Sequence, residues 1–172
     1  MAALIVGGDS FLGKHLAQRL THAYCTSRRP GAKHYYYLGR SEPHTLPTAD
    51  VIYLIGGVTK FKECEIDPQA YHINVDAQIE IAACHDKAHI VYVSSETAEW
   101  PNQTAYGSHK RACELGLLAV CGGFRRLTIV RPTRITVNDV DQLCDLLVNV
   151  GADSMKGIFR WWPVKQVAAV AA

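Results

Sequence analysis

The chain has no apolar run approaching the ~20 residues that a membrane-crossing helix requires. It also lacks repeats, low-complexity tracts and any block of like charge. A membrane-spanning helix is therefore not expected, nor is an interdomain linker. The formal net charge is only +2, with no basic run beyond doublets such as Arg28-Arg29 and Arg125-Arg126. Neither nucleic acid nor an anionic membrane surface is called for as a partner. Cys25, Cys64, Cys84, Cys113, Cys121 and Cys144 include no Cys-x-x-Cys pair, and the eight histidines are dispersed. That scatter argues against a disulfide framework and a structural metal, and leaves a reduced, cytoplasmic protein as the expectation. The opening "MAALIVGG" has no charged n-region, so it reads as a strand rather than a signal peptide.

What the chain does contain is alternation. Short apolar runs, "AALIVGG", "DVIYLIGG", "HIVYVSS" and "RLTIVRP", read as strands buried on both faces. "HAYCTSRRP" and "HYYYLGR" are two further strand candidates. Helical segments lie between them. "SFLGKHLAQRL" carries Leu12, Leu16 and Leu20 on one stripe with Ser10 as its N-cap. Asp67-Pro68 opens a helix through "QAYHINVDAQIEIAACHD", and "TAYGSHKRACELGLLAVC" makes another that stops at Gly122-Gly123. Later, "VNDVDQLCDLLVNVG" looks helical, "GIFRWWPV" extended and "KQVAAVAA" helical. Strands joined by crossover helices form a parallel sheet. The expectation is one doubly wound α/β domain spanning the 172 residues, of the Rossmann type, with strand order 3-2-1-4-5-6.

"VGGDSFLG" falls at the first strand–helix junction, where a dinucleotide pyrophosphate would lie on exposed helix N–H groups. Gly7 would permit the tight turn and Gly13 the close packing of helix on sheet. Ser10 stands where a middle glycine is usual, and its side chain would either crowd the phosphates or donate to them. After the second strand comes "TSRRP", with no carboxylate to hold a ribose 2′-hydroxyl. Ser27, Arg28 and Arg29 suit a 2′-phosphate instead, which favours NADP(H) over NAD(H). The alternative is an ordinary solvated basic turn.

"AYGSHKRACE" places Tyr106 and Lys110 four residues apart on one helical face. Alone, the pair is either a packed ring beside a solvated amine or an acid–base couple. Taken in order with "VGGDSFLG", "DVIYLIGG", "INVDAQ", "VYVSS" and "IVRP", the chain resembles the short-chain dehydrogenase/reductase superfamily. The resemblance is to its extended branch of nucleotide-sugar epimerases, dehydratases and reductases, over roughly residues 3 to 135. It implies that Tyr106 exchanges a proton with the substrate oxygen, that Lys110 lowers the phenol pKa and binds the nicotinamide ribose, and that Ser95 hydrogen-bonds the substrate carbonyl. Ser94 is the alternative serine. Asn74 matches an asparagine of a water and lysine relay, or else serves the helix locally. For the cofactor, the resemblance assigns the loop from Gly7 through Gly8, Asp9, Ser10, Phe11 and Leu12 to Gly13. It adds Ile55, Gly56 and Gly57 after the fourth strand, and Pro132, alongside Tyr106 and Lys110. The short interval from Ser95 to Tyr106 calls for a tight connecting loop.

Extended members continue with a long substrate domain, whereas residues 133–172 form only an abbreviated substrate-side segment. There Trp161 and Trp162 would wall a small pocket, stack on a ligand or cover the sheet edge. Two readings stand: an NADP(H)-dependent oxidoreductase or epimerase-like enzyme acting on a carbonyl, alcohol or nucleotide-sugar, and a catalytically silent dinucleotide-binding or redox-sensing module. The two helices "YHINVDAQIEIAACH" and "CELGLLAVC" are apolar on more than one face, which points to pairing of two copies as a homodimer.

Overall fold

The computed structural model describes residues 1–133 and 135–155. The expected segments around Trp161, Trp162 and "KQVAAVAA" lie outside the described residues. Strands β1 (Ala3–Val6), β2 (Ala23–Cys25), β3 (Val51–Leu54), β4 (His89–Val93) and β5 (Leu127–Val130) form one sheet of order β2-β1-β3-β4-β5. Every neighbouring pair is parallel, with Ala3 beside both Ala23 and Val51, Val51 beside His89, and Ile90 beside Leu127. This is the expected Rossmann-type order without its outermost third strand.

That strand is reduced to a single parallel bridge, Ser27 to Tyr35. One bond runs from the Ser27 amide to the His34 carbonyl and one from the Tyr36 amide back to the Ser27 carbonyl. A parallel pair needs a crossover of a dozen or more residues, and the short link from Ser27 to Tyr35 holds no helix. The segment contributes side chains instead, burying Tyr36 and Leu38 against the sheet.

The helices are α1 (Phe11–Arg19), α2 (Phe61–Ile66), α3 (Ala77–Cys84), α4 (Ala105–Val120) and α5 (Val140–Met155). Helix α2 falls in "KFKECEI", which has no apolar stripe to announce it. Asp67 closes α2 and caps the following turn, its carboxylate accepting from the Gln69 amide. A wide turn, His72–Asp76, then leads into α3, with the Ala77 amide bonding to the His72 carbonyl five residues back. Such π-turns gather at functional sites.

Each strand sends alternate residues to opposite faces. Leu4, Ile52, Leu54, Ile90, Tyr92 and Ile129 pack with Ile81, Ala82, Cys113 and Leu117 of α3 and α4. Ala3, Ile5, Val51, Tyr53, Val91 and Val130 pack with Leu12 and Leu16 of α1 and with Leu143, Cys144 and Leu147 of α5. The six cysteines are free. Among the described residues no helix is long and apolar enough to cross a membrane.

Candidate cofactor and acid–base site

The carboxyl ends of β1 and β3 open into a cleft of about 330 Å³, lined by Gly7, Asp9, Ser10, Thr26, Arg28, Gly56, Gly57 and Val58. Tyr36, Tyr37 and Ile73 wall another side. Ligand crevices lie at this place in α/β sheets, where neighbouring strands run out in opposite directions of chain order. Gly7 has φ +100°, and a Cβ on it would stand 2.6 Å from the Gly56 Cα. A Cβ on Gly13 would collide with the Gly7 carbonyl oxygen. These glycines therefore let the first loop, the third strand end and α1 close on one another. The Ser10 hydroxyl accepts the Gly13 amide at 3.0 Å, so its side chain caps α1. Its one proton remains available to donate toward the cleft.

Sequence reasoning missed Thr26, whose hydroxyl accepts the Gly7 amide at 2.9 Å and thereby holds the turn against β2. It also missed Gln78, which donates to the Gly56 carbonyl at 2.9 Å. Asn74 and Gln78, four apart within an apolar helix, were the available signal. Of the other residues assigned to the cofactor, Leu12 is buried on the sheet-facing side of α1, Phe11 is exposed, and Arg29 lies beyond the cleft lining. Gly8, Ile55, Pro132, Tyr106 and Lys110 are likewise outside that lining.

Asp9 reaches across to "TSRRP". Its Oδ2 accepts the Ser27 hydroxyl at 2.7 Å and the Arg28 amide at 3.1 Å. The Ser27 bond, more than the Arg28 bond, holds the Asp9 carboxyl below its ordinary 3.8 against the opposing effect of burial.

At the other end, α4 begins at the Thr104 cap and packs on a 3₁₀ turn, Glu96–Glu99, that leaves β4. A Cβ on Gly107 would stand 2.6 Å from the Thr97 carbonyl oxygen, so the glycine after Tyr106 permits this approach. The short Ser95-to-Tyr106 loop is thus as tight as expected. The Ser94 hydroxyl is committed to buried Glu114 at 2.6 Å. Ser95 accepts from the Thr97 hydroxyl and amide at 3.0 and 3.3 Å, leaving its own proton free to donate.

Lys110 is 7% exposed, donates to the Val93 carbonyl at 2.9 Å, and stands 5.7 Å from the Tyr106 ring centre. Burial depresses its pKa to about 8. The Tyr106 phenol does not fall with it. Burial, aided by Cys64, pushes it up to about 12, and the Phe61 ring lies 5.4 Å away centre to centre. The ammonium commits a proton to Val93 rather than to the phenol, so desolvation decides the direction. Asn74 clasps Val58: its Oδ1 accepts the Val58 amide at 2.8 Å and its Nδ2 donates to the Val58 carbonyl at 2.9 Å. The same Nδ2 lies 3.4 Å from His109 Nδ1.

No protein-family model matches the chain, and no curated protein matches it. Solved structures match the fold at low identity. The dTDP-4-dehydrorhamnose reductase of Bacillus anthracis in complex with NADP is 16% identical, with a TM-score of 0.74 over 99% of this chain and 81% of its own. A proposed NAD-dependent epimerase/dehydratase of Bacillus halodurans is 15% identical, with a TM-score of 0.73 over 99% of both chains. A short-chain dehydrogenase/reductase superfamily protein of Agrobacterium tumefaciens with bound NAD is 12% identical, with a TM-score of 0.60 over 77% of this chain and 49% of its own. The fold is accordingly the Rossmann fold of these NAD(P)-binding proteins.

Proposed function

We propose that the chain is a compact NADP(H)-dependent oxidoreductase, or nucleotide-sugar epimerase/reductase-like enzyme, of the short-chain dehydrogenase/reductase type. The observation that carries this reading is Lys110. A lysine is almost never buried unless it is paired, and this one sits beside Tyr106 on the helix that packs against Ser95's turn. The first loop fits a dinucleotide pyrophosphate, because Gly7, Asp9 and Ser10 line the cleft at the N-terminus of α1 and the Ser10 hydroxyl accepts from Gly13 while keeping a proton to donate. The NADP-bound Bacillus anthracis structure and the NAD-bound Agrobacterium tumefaciens structure support a nicotinamide dinucleotide of either kind. Arg28 in the cleft, with Ser27 and Arg29 beside it, supports the preference for NADP(H).

A bound nicotinamide would supply or accept the hydride. The residues do the rest. Ser95 donates a hydrogen bond to the substrate oxygen through its free hydroxyl hydrogen, and Tyr106 delivers the one proton that oxygen takes up as the carbonyl carbon is reduced, or takes it back on oxidation. A phenol that stays neutral is in the right state to act as the acid of a reduction. Lys110 supplies positive charge beside the phenol and a donor toward the ribose, while Asn74 positions the Val58 loop. The substrate would be a small carbonyl or alcohol compound or a nucleotide-sugar.

One observation favours the silent-module reading: Phe61 covers Tyr106, and the phenol lies outside the cleft lining. Turnover separates the two. With NADPH and a panel of simple carbonyls and nucleotide-sugars, Tyr106→Phe is expected to lower the rate by ~10²–10⁴-fold while leaving cofactor affinity nearly unchanged. Full activity in that variant removes Tyr106 as the proton donor, whereas cofactor binding without turnover of any panel member supports the silent module.

A further inference from the structure

The groups best placed to receive a 2′-phosphate are already occupied. Ser27's hydroxyl has one proton and Arg28's backbone one amide hydrogen, and both are directed at the same oxygen, Oδ2 of Asp9. Arg29's amide bonds to Ser27 Oγ instead, which closes the turn around the same carboxylate. Asp9 and Arg28 both line the cleft. A phosphate arriving at these donors meets a negative charge within hydrogen-bond reach of its own seat. A ribose hydroxyl meets an acceptor, since a carboxylate has about four acceptor positions and Oδ2 uses two of them.

We propose that Asp9 is the residue that sets the choice between a 2′-phosphate and a 2′-hydroxyl on the cofactor, resting on the dinucleotide reading above. Seated on the Ser27 and Arg28 donors, it holds back NADP(H) and keeps NAD(H) acceptable. It serves the ribose from the first glycine loop, the role that a carboxylate after the second strand usually fills. Arg28 and Arg29 act in the opposite direction, so the net preference is the difference between the two.

The test is the ratio of NADPH to NADH dissociation constants, by titration calorimetry, for the wild-type chain, Asp9→Asn, Asp9→Ser and Arg28→Ala. Asn keeps an acceptor for Ser27 and Arg28 and removes only the charge; Ser vacates the seat. Circular dichroism establishes that each variant is folded. Both Asp9 variants are expected to tighten NADPH ~10-fold or more, the scale of a like charge removed and a charge-assisted bond gained, with NADH unchanged or weakened. Arg28→Ala is expected to move the ratio the other way. An unchanged ratio in both folded Asp9 variants that still bind NADH overturns the inference alone. Binding of neither nucleotide by any variant overturns the dinucleotide reading, and the inference with it.

Discussion

Lys110 is held in the interior at a cost in stability, and the sign of that cost can be read from its titration. Its pKa is about 8 in the folded chain and near 10.5 when unfolded, so between those values the unfolded chain binds the extra proton. Stability contributed through this group therefore rises with pH across that window and is lowest below pH 8. The penalty at neutral pH is on the order of 3 kcal/mol. Lys110→Met removes it, although the Val93 carbonyl loses its donor. Compared by urea denaturation, wild type is expected to gain roughly 2 kcal/mol on the variant between pH 7 and pH 10, because other titrations cancel in the difference. An invariant difference would place the amine in water. Tyr106 gives a second reading. The Tyr106→Phe difference in tyrosinate absorbance is expected to stay flat until above pH 11, in line with a phenol pKa near 12. A step near pH 10 would mean that the ammonium prevails over burial.

Among elements, the end of β4, the middle of α4 and the end of β5 meet at Glu114, which is fully buried. Arg131 grips its two oxygens at 2.8 and 2.6 Å, Ser94 donates to it at 2.6 Å, and Arg111 adds a longer contact. Removing one partner of a buried pair leaves the other charge uncompensated, a loss of about 3–5 kcal/mol. Glu114→Ala is expected to lower the unfolding free energy by that amount, measured by chemical denaturation, and to weaken any activity because Ser95 follows Ser94 directly. Gly107→Ala tests the neighbouring contact. Its Cβ would press on the Thr97 carbonyl, so α4 must move off the 3₁₀ turn. Turnover is expected to fall at least tenfold with a smaller loss of stability; thermal melts beside kinetics separate the two effects.

For the whole molecule, α3 and α4 both turn one side to the sheet, while α4 leaves Leu115 and Val120 exposed. We expect two copies to pair across these helices. Light scattering at increasing concentration should report a dimer, and Leu115→Glu should return the monomer. A wild-type monomer at the highest concentration would discard the pairing.

Much of this is legible in the sequence. Apolar runs ending in glycines placed β1 and β3, an N-capping serine placed α1, and the spacing of Tyr106 and Lys110 put both on α4, because each signal depends on residues a few positions apart. What only the tertiary structure decided depends on residues far apart in the chain. "HYYYLGR" has strand composition, yet its short link to β2 permits one bridge. The two serines after β4 look alike until Glu114, twenty residues on from Ser94, takes one of them. Asp9 reads as a loop residue until β2 brings Ser27 beside it. The Tyr106 phenol titrates upward because packing removes water from it, and desolvation is a property of the assembled interior that no local pattern records.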